Sequence, residues 1–195
     1  MASREGHIDV IQLLLERNPD IDLCGKNGCS PLYKASQDGH FDIIQLLLKR
    51  HSNVNICHND GFSPVYIASQ EGHTDIVKLL LERNGNVAIC PNNGCSPLYI
   101  ASQNGQTDIV KLLIMKNPNV NICDNIYGCS ALHKASQNGY TDIVRLLLEQ
   151  NPNVDICDNN GCSQLNKASQ NGHTDIVKVL SEKNSNINLF DDGLV

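Results

Sequence analysis

The chain repeats itself at a fixed step, and that step limits its fold more than any other feature. NGCSPLYKASQDGHFDIIQLLLKR opens at Asn27, DGFSPVYIASQEGHTDIVKLLLER at Asp60 and NGCSPLYIASQNGQTDIVKLLIMKN at Asn93. YGCSALHKASQNGYTDIVRLLLEQ opens at Tyr127 and NGCSQLNKASQNGHTDIVKVLSEK at Asn160. The first glycine of each copy falls at Gly28, Gly61, Gly94, Gly128 and Gly161, so three steps are 33 residues and one is 34. A period of this length marks a solenoid, in which supersecondary units stack in a row.

Within each copy the same physical signals recur. Asn-Gly or Asp-Gly at most tips supplies the positive φ angles of a tight hairpin turn. Ser30, Ser63, Ser96, Ser130 and Ser163 are placed to cap a short first helix, and Pro31, Pro64 and Pro97 suit its first turn. Leu32 and Ala35 point inward in the first full copy. Gly39, Gly72, Gly105, Gly139 and Gly172 turn the chain into a second helix. There Ile76, Val77, Leu79, Leu80 and Leu81 recur at 3–4 spacing and face neighbouring units. Asp75 and its equivalents favour the positive end of that helix. Asn18, Asn84, Asn117, Asn151 and Asn184 stand at the helix exits, where Asn tolerates the left-handed conformation. No unit can bury its apolar surface alone, so stability must come from stacking.

These residues resemble the ankyrin repeat. The family's G-x-T-P-L-H-x-A-A-x-x-G-H…I-V-x-L-L-L pattern stands here as GCSPLYKASQDGH…DIIQLLL and its sister copies. The departures are regular: Ser replaces Thr at the cap, Tyr mostly replaces His, and Ser replaces the second Ala. The resemblance implies an all-α ankyrin-repeat solenoid with β-hairpin fingers roughly perpendicular to the helices, spanning 1–195 as one domain. Residues 1–24 read as a partial first repeat; 25–57, 58–90, 91–123 and 124–157 as full repeats; and 158–195 as a last repeat with an unfinished finger. The incomplete ends fit either a native array or a piece of a longer one. In the last repeat Gln164, Asn166 and Ser181 replace Pro, Tyr and Leu, as a polar terminal unit requires.

Composition narrows the function. The net charge is −6 with a pI near 5.5 and the charges dispersed. No basic stripe is present to neutralise a phosphate backbone, which counts against nucleic acid as a main partner. No apolar run approaches the length of a membrane span. MASREGHIDVIQLLL is already helix sequence rather than a secretory leader. The expectation is a cytosolic or nuclear protein, monomeric by itself, with no cofactor.

Chemistry has few candidates. Ser130, His133 and Ser136 hint at a nucleophile and base, but Tyr33, Tyr66, Tyr99 and Asn166 occupy the position of His133 elsewhere, so no proton-transfer role repeats. By resemblance, His7, His40, His73 and His173 follow a turn glycine and bridge loop backbone rather than bind metal. Cys24, Cys57, Cys90, Cys123 and Cys157 hold one repeat position; Cys29, Cys95, Cys129 and Cys162 hold a second. The spacing lacks the C-x2-C of zinc ribbons. Each pair flanks a tip, so cross-strand separation permits a disulfide, whereas a reducing compartment favours free thiols.

Family resemblance implies a protein partner of unknown identity, bound by the finger tips and the exposed side of the first helices. On this chain those positions are Lys26, Asn27, Cys29, Gln37 and Asp38, then Asn59, Asp60, Phe62, Gln70 and Glu71, then Asn92, Asn93, Cys95, Gln103 and Asn104. Two departures break an otherwise uniform surface. Finger four is one residue longer and places Ile126 and Tyr127 at its tip, and finger two carries Phe62. Exposed aromatic and aliphatic anchors dominate interface energetics. The expected contact set is therefore Phe62, Tyr66, Asn92, Asn93, Cys95, Tyr99, Gln103, Asn125, Ile126, Tyr127 and Cys129, with Ile67 and Ile100 either extending the patch or packing between helices. Two other readings stay open. One is an ankyrin segment of a larger channel, enzyme or ubiquitin-ligase adaptor; the other is a thiol-based redox or soft-metal-binding surface.

Overall fold

The computed structural model describes residues 2–88 and 91–183. Helices come in pairs: α1 (Ala2–Glu5) with α2 (Ile8–Leu15), α3 (Pro31–Asp38) with α4 (Phe41–Lys49), and α5 (Pro64–Glu71) with α6 (Thr74–Glu82). The pattern continues with α7 (Pro97–Gln103) and α8 (Thr107–Ile114), α9 (Ala131–Gln137) and α10 (Thr141–Leu148), and α11 (Gln164–Gln170) and α12 (Thr174–Lys183). First helices pack on first helices and second helices on second helices, from one end of the described chain to the other. The architecture is an all-α solenoid.

Local chemistry sets the helix boundaries. Each serine expected as a cap accepts the backbone N–H three residues on, at 3.0–3.4 Å, in α3, α5, α7, α9 and α11. Such a cap stabilises a helix by about 1 kcal/mol, which matters because these helices run only seven or eight residues. The exits are left-handed at Asn18, Asn84, Asn117 and Asn151, with φ between 49° and 62°. His51 does the same at 64°, a position that sequence reasoning passed over because His rarely signals an exit. Asn184, and the residues of the unfinished last finger, lie outside the described residues.

One apolar core runs between the helix rows. Leu32, Ala35, Ile76, Val77, Leu80 and Leu81 are buried, and Leu79 packs at its edge. Polar staples cross each junction as well. The Arg50 guanidinium donates to the Leu15 carbonyl at 3.3 Å and Arg83 to Leu48 at 3.4 Å, so each adds a bond to a carbonyl in the last turn of the preceding unit's second helix. The rings of His73 and His173 reach back 3.1 Å to the carbonyls of Gln37 and Gln137. Gly39 is obligatory there, since a Cβ would lie 2.9 Å from the His73 ring. These histidines bridge loop backbone, as the family pattern implies.

The fingers are smaller than expected. Among the described residues they hold only two isolated β-bridges, Cys123 with Ser130 and Cys157 with Ser163. At the tips only the glycine is left-handed, with φ of 69–86° at Gly28, Gly61, Gly94, Gly128 and Gly161; the Asn or Asp before it is not. The expectation of two positive φ angles gives way to a turn followed by one left-handed glycine, another common hairpin closure. The reason lies across the junction, where the tip residues bond to the neighbouring finger.

Candidate functional site

A single backbone bond links each tip to the next: Asn59 N–H to the Asn27 carbonyl at 3.1 Å, Asn92 to Asp60 at 2.9 Å, Asn125 to Asn93 at 2.8 Å and Asn159 to Tyr127 at 2.8 Å. The asparagine side chains add to this ladder. The Nδ2 of Asn59 donates to Lys26, that of Asn125 to Asn92 and that of Asn159 to Ile126, at 2.9–3.4 Å. Asn104, Asn138 and Asn171 make the same kind of bond at the ends of the first helices, to Gln70, Gln103 and Gln137 at 2.8–3.0 Å. Asn92 and Asn125 were expected as partner contacts. They remain on the surface, but their polar groups hold neighbouring units together. Asn93 is likewise engaged, its Oδ1 accepting the Cys95 amide at 3.1 Å, while Gln103 keeps a half-exposed side chain on the groove.

Burial removes four more residues of the expected set. Tyr66, Cys95, Tyr99 and Cys129 form a small buried cluster with Ile100 beneath the fingers, and Phe62 packs on it half-buried. Phe62 also links an aromatic row: its ring lies 4.9 Å from Tyr66 and 6.0 Å from His58, which sits 5.7 Å from Tyr33. Burial raises the phenol pKa of both Tyr66 and Tyr99, so both stay protonated. Ile67 and Ile100 are buried too and pack between helices rather than extending a surface patch. Sequence reasoning placed Tyr66, Cys95, Tyr99 and Cys129 outside because each unit was read alone, and left Ile67 and Ile100 open between the two arrangements.

Finger register settles what the cysteines can do together. Cys123 faces Ser130 and Cys157 faces Ser163, while Asp124 and Asp158 donate their amides to the Cys129 and Cys162 carbonyls at 3.0 and 2.9 Å. The two thiols of each of these fingers are one residue out of register, and adjacent strand residues point to opposite faces. The disulfide geometry expected from the spacing therefore does not arise in them. Burial pushes the thiols of Cys57, Cys123 and Cys129 up, which lowers the thiolate fraction that redox chemistry needs. Among the described residues no group of His, Cys, Asp or Glu could hold a metal ion. The pair Cys90 and Cys95 falls partly outside the described residues.

Finger four is the exception on the surface. In finger four Asn125 donates to the finger before, while Ile126 and Tyr127 receive from the finger after. The extra residue widens the turn, so that Gly128 N–H reaches the Asp124 carbonyl four residues back, against three in the other fingers. Asp124 secures the wider loop: its Oδ1 accepts the amides of Ile126 and Tyr127 at 2.9 and 2.6 Å. The side chains of Ile126 and Tyr127 are left 60% and 57% exposed.

A family model for ankyrin repeats matches residues 1–89, 35–124 and 98–191 in three overlapping copies. The chain belongs to the ankyrin-repeat family. A sequence search of curated proteins returned no match. Ankyrin repeats are generally protein-interaction modules and typically carry no catalysis, which agrees with the state of His133. In this ankyrin-repeat protein His133 is fully buried and completes a capping box, with Nδ1 2.9 Å from Ser130 Oγ and 3.2 Å from the Ser130 amide. Burial depresses its pKa. A substrate proton cannot reach it, so its role is to lock the start of α9. No helix among the described residues is long and apolar enough to cross a membrane.

Proposed function

We propose that this ankyrin-repeat protein is a non-catalytic module that takes a protein partner along its finger tips, with Ile126 and Tyr127 of finger four as the main contact. One observation carries the reading: two large apolar side chains stand side by side, more than half exposed, on a loop whose backbone is fully engaged. They fill no core, so their burial is available to a partner. Burying one such side chain is worth about 1.5–3 kcal/mol. The asparagines around them have less to offer because their amides already bond to neighbouring units. Phe62, Asn93 and Gln103 supply the rim of the same surface.

The test is affinity capture with two baits, the native protein and a variant in which Ile126-Tyr127 becomes a single Asn. The variant restores the 33-residue step of the other units, so it should melt like the native protein. A partner retained by the native bait and depleted about tenfold by the variant, as loss of one buried apolar side chain requires, supports the reading. Equal capture places the interface elsewhere. Location in the cytosol or nucleus belongs to the same proposal, and cell fractionation checks it.

A further inference from the structure

The three lysines on the exposed side of the first helices are Lys34, Lys134 and Lys167, and two of them are occupied. Lys167 Nζ lies 2.8 Å from Asp158 Oδ2, in an ion pair whose carboxylate is almost wholly buried. Lys34 Nζ donates to Gln37 Oε1 at 2.9 Å. Asp124 and Lys134 are the counterparts of Asp158 and Lys167 one unit earlier, yet no ion pair joins them. Two differences accompany this, the extra tip residue and a tyrosine at 99 where the next unit has His133. Asp158 Oδ1 accepts the amides of Asn160 and Cys162, which leaves Oδ2 for the lysine. Asp124 must serve one amide more: Oδ1 takes Ile126 and Tyr127, and Oδ2 takes Cys129 at 2.9 Å and the Tyr99 hydroxyl at 3.3 Å. Lys134 is displaced onto aromatic faces, 5.3 Å from the Tyr127 ring centroid and 6.0 Å from that of Tyr99. An ammonium without an ion-pair partner thus stands beside the exposed Ile126 and Tyr127.

We propose that Lys134, Tyr127 and Ile126 receive an extended acidic segment of a protein partner, a Glu or Asp carboxylate on Lys134 and an adjacent apolar side chain on the tip. The proposal rests on the reading of finger four as the contact. An ammonium with its N–H donors unspent gains most from a carboxylate, where charge assists the bond. The distribution of charge along the groove agrees. The tip and first helix of the second full unit carry Asp60 and Glu71 and no lysine, whereas the third to fifth units end their first helices in Asn104, Asn138 and Asn171. An acidic ligand is repelled from the second unit and tolerated at the later ones. The net charge of −6 is dispersed, and salt screens exposed charges beyond about 8 Å.

Capped hexapeptides of alternating Leu and Glu, Leu and Gln, and Leu and Lys provide the test, titrated against the protein while the Tyr127 and Ile126 signals are followed by NMR. The Leu/Glu peptide should bind about tenfold more tightly than Leu/Gln, the scale of one charge-assisted hydrogen bond. Lys134→Met should erase that preference, Lys134→Arg should keep it, and Lys134→Glu should transfer it to Leu/Lys. Thermal melts establish that each variant is folded, and weakening of the Leu/Glu complex by added salt gives a second reading in the native protein. Equal binding of the three peptides, or a preference that survives Lys134→Met, overturns the proposal. If the shortened finger loses its captured partner while the peptides show no charge preference, the contact stands and only the acidic ligand falls. If capture and peptides are both unaffected, both readings fall.

Discussion

Fingers four and five start from the same pair, an aspartate at the base and a lysine on the following helix, and arrive at opposite arrangements. In finger five Asp158 and Lys167 neutralise each other below the surface and the tip is polar. In finger four the same groups separate, the carboxylate is consumed by loop amides, and the tip is apolar. The added residue and the Tyr99 hydroxyl together occupy the Asp124 carboxylate. The stack absorbs the insertion without losing a rung, since the bonds from finger three to four and from four to five both measure 2.8 Å. A solenoid tolerates an insertion where the chain turns in solvent, and the consequences appear in side-chain pairing rather than in the fold.

The largest expected effect separates the two fingers by their glycines. Alanine at either Gly128 or Gly161 must adopt a left-handed φ, 69° or 76°, at a cost of about 1–2 kcal/mol. At Gly128 the new Cβ would also meet Asn159 Oδ1 at 2.5 Å, whereas at Gly161 nothing among the described residues lies within 4 Å. Displacing that clamp adds about 0.5–1.5 kcal/mol. Thermal melts should rank Gly128→Ala below Gly161→Ala, and equal melting temperatures would show that the inter-finger ladder contributes nothing.

Next is the ion pair that only finger five retains. Burial acts to raise the Asp158 pKa, but Lys167 and the amides of Cys162 and Asn160 outweigh it and hold the carboxyl below its usual value. The hydrogen bond to Asp158 in turn raises Lys167. A depressed acid stabilises the fold above its unfolded pKa, about 4, and that stability is lost as pH falls through the folded value. A raised base stabilises below its unfolded pKa, about 10.4, and loses its effect as pH rises through the folded value. Asp158→Asn should therefore lower stability by about 1.5–3 kcal/mol across neutral pH, with the deficit closing towards both extremes. Urea titrations at several pH values check this, and a deficit unchanged down to acid pH assigns the loss to packing instead.

The shortened finger four tests whether the comparison can be reversed. Without the extra residue Asp124 has one amide fewer to serve, and its Oδ2 becomes available to Lys134. Melting should hold or rise, since a lysine would return to a buried carboxylate as in finger five. A Lys134 side-chain resonance that shifts on Asp124→Asn in the shortened variant would show the pair restored; no shift would mean that Tyr99, not the insertion, holds the carboxylate.

The smallest effect is expected for Lys134→Met. It removes cation–π contacts worth about 0.5–1 kcal/mol, while Lys167→Met strands a buried carboxylate and should cost more. Matching losses in the two variants would contradict the claim that Lys134 lacks an ion-pair partner.

Much of the fold was legible because its causes are local. Ser30 caps α3 with a bond three residues away, Pro31 fixes one φ, and Asn18 needs only its own backbone to leave a helix. Such features act within one turn of chain, so the letters state them directly. The exposed pair Ile126 and Tyr127 was legible for the same reason, as apolar residues on a turn with no core beneath. Tyr66, Tyr99, Cys95 and Cys129 were misread as surface because the side chains that cover them belong to the next unit.

By itself, then, the sequence determined the period, the caps, the exits and the identity of the odd finger, since each depends on neighbours along the chain. Tertiary structure alone decided which tip asparagines serve as clamps, that paired cysteines face apart, and that Lys134 lacks the partner Lys167 has. Those outcomes depend on strand register, on groups one unit away such as the Asn92 carbonyl that Asn125 reaches, and on how one carboxylate divides its bonds, and a shift of one residue reverses which side chains can meet.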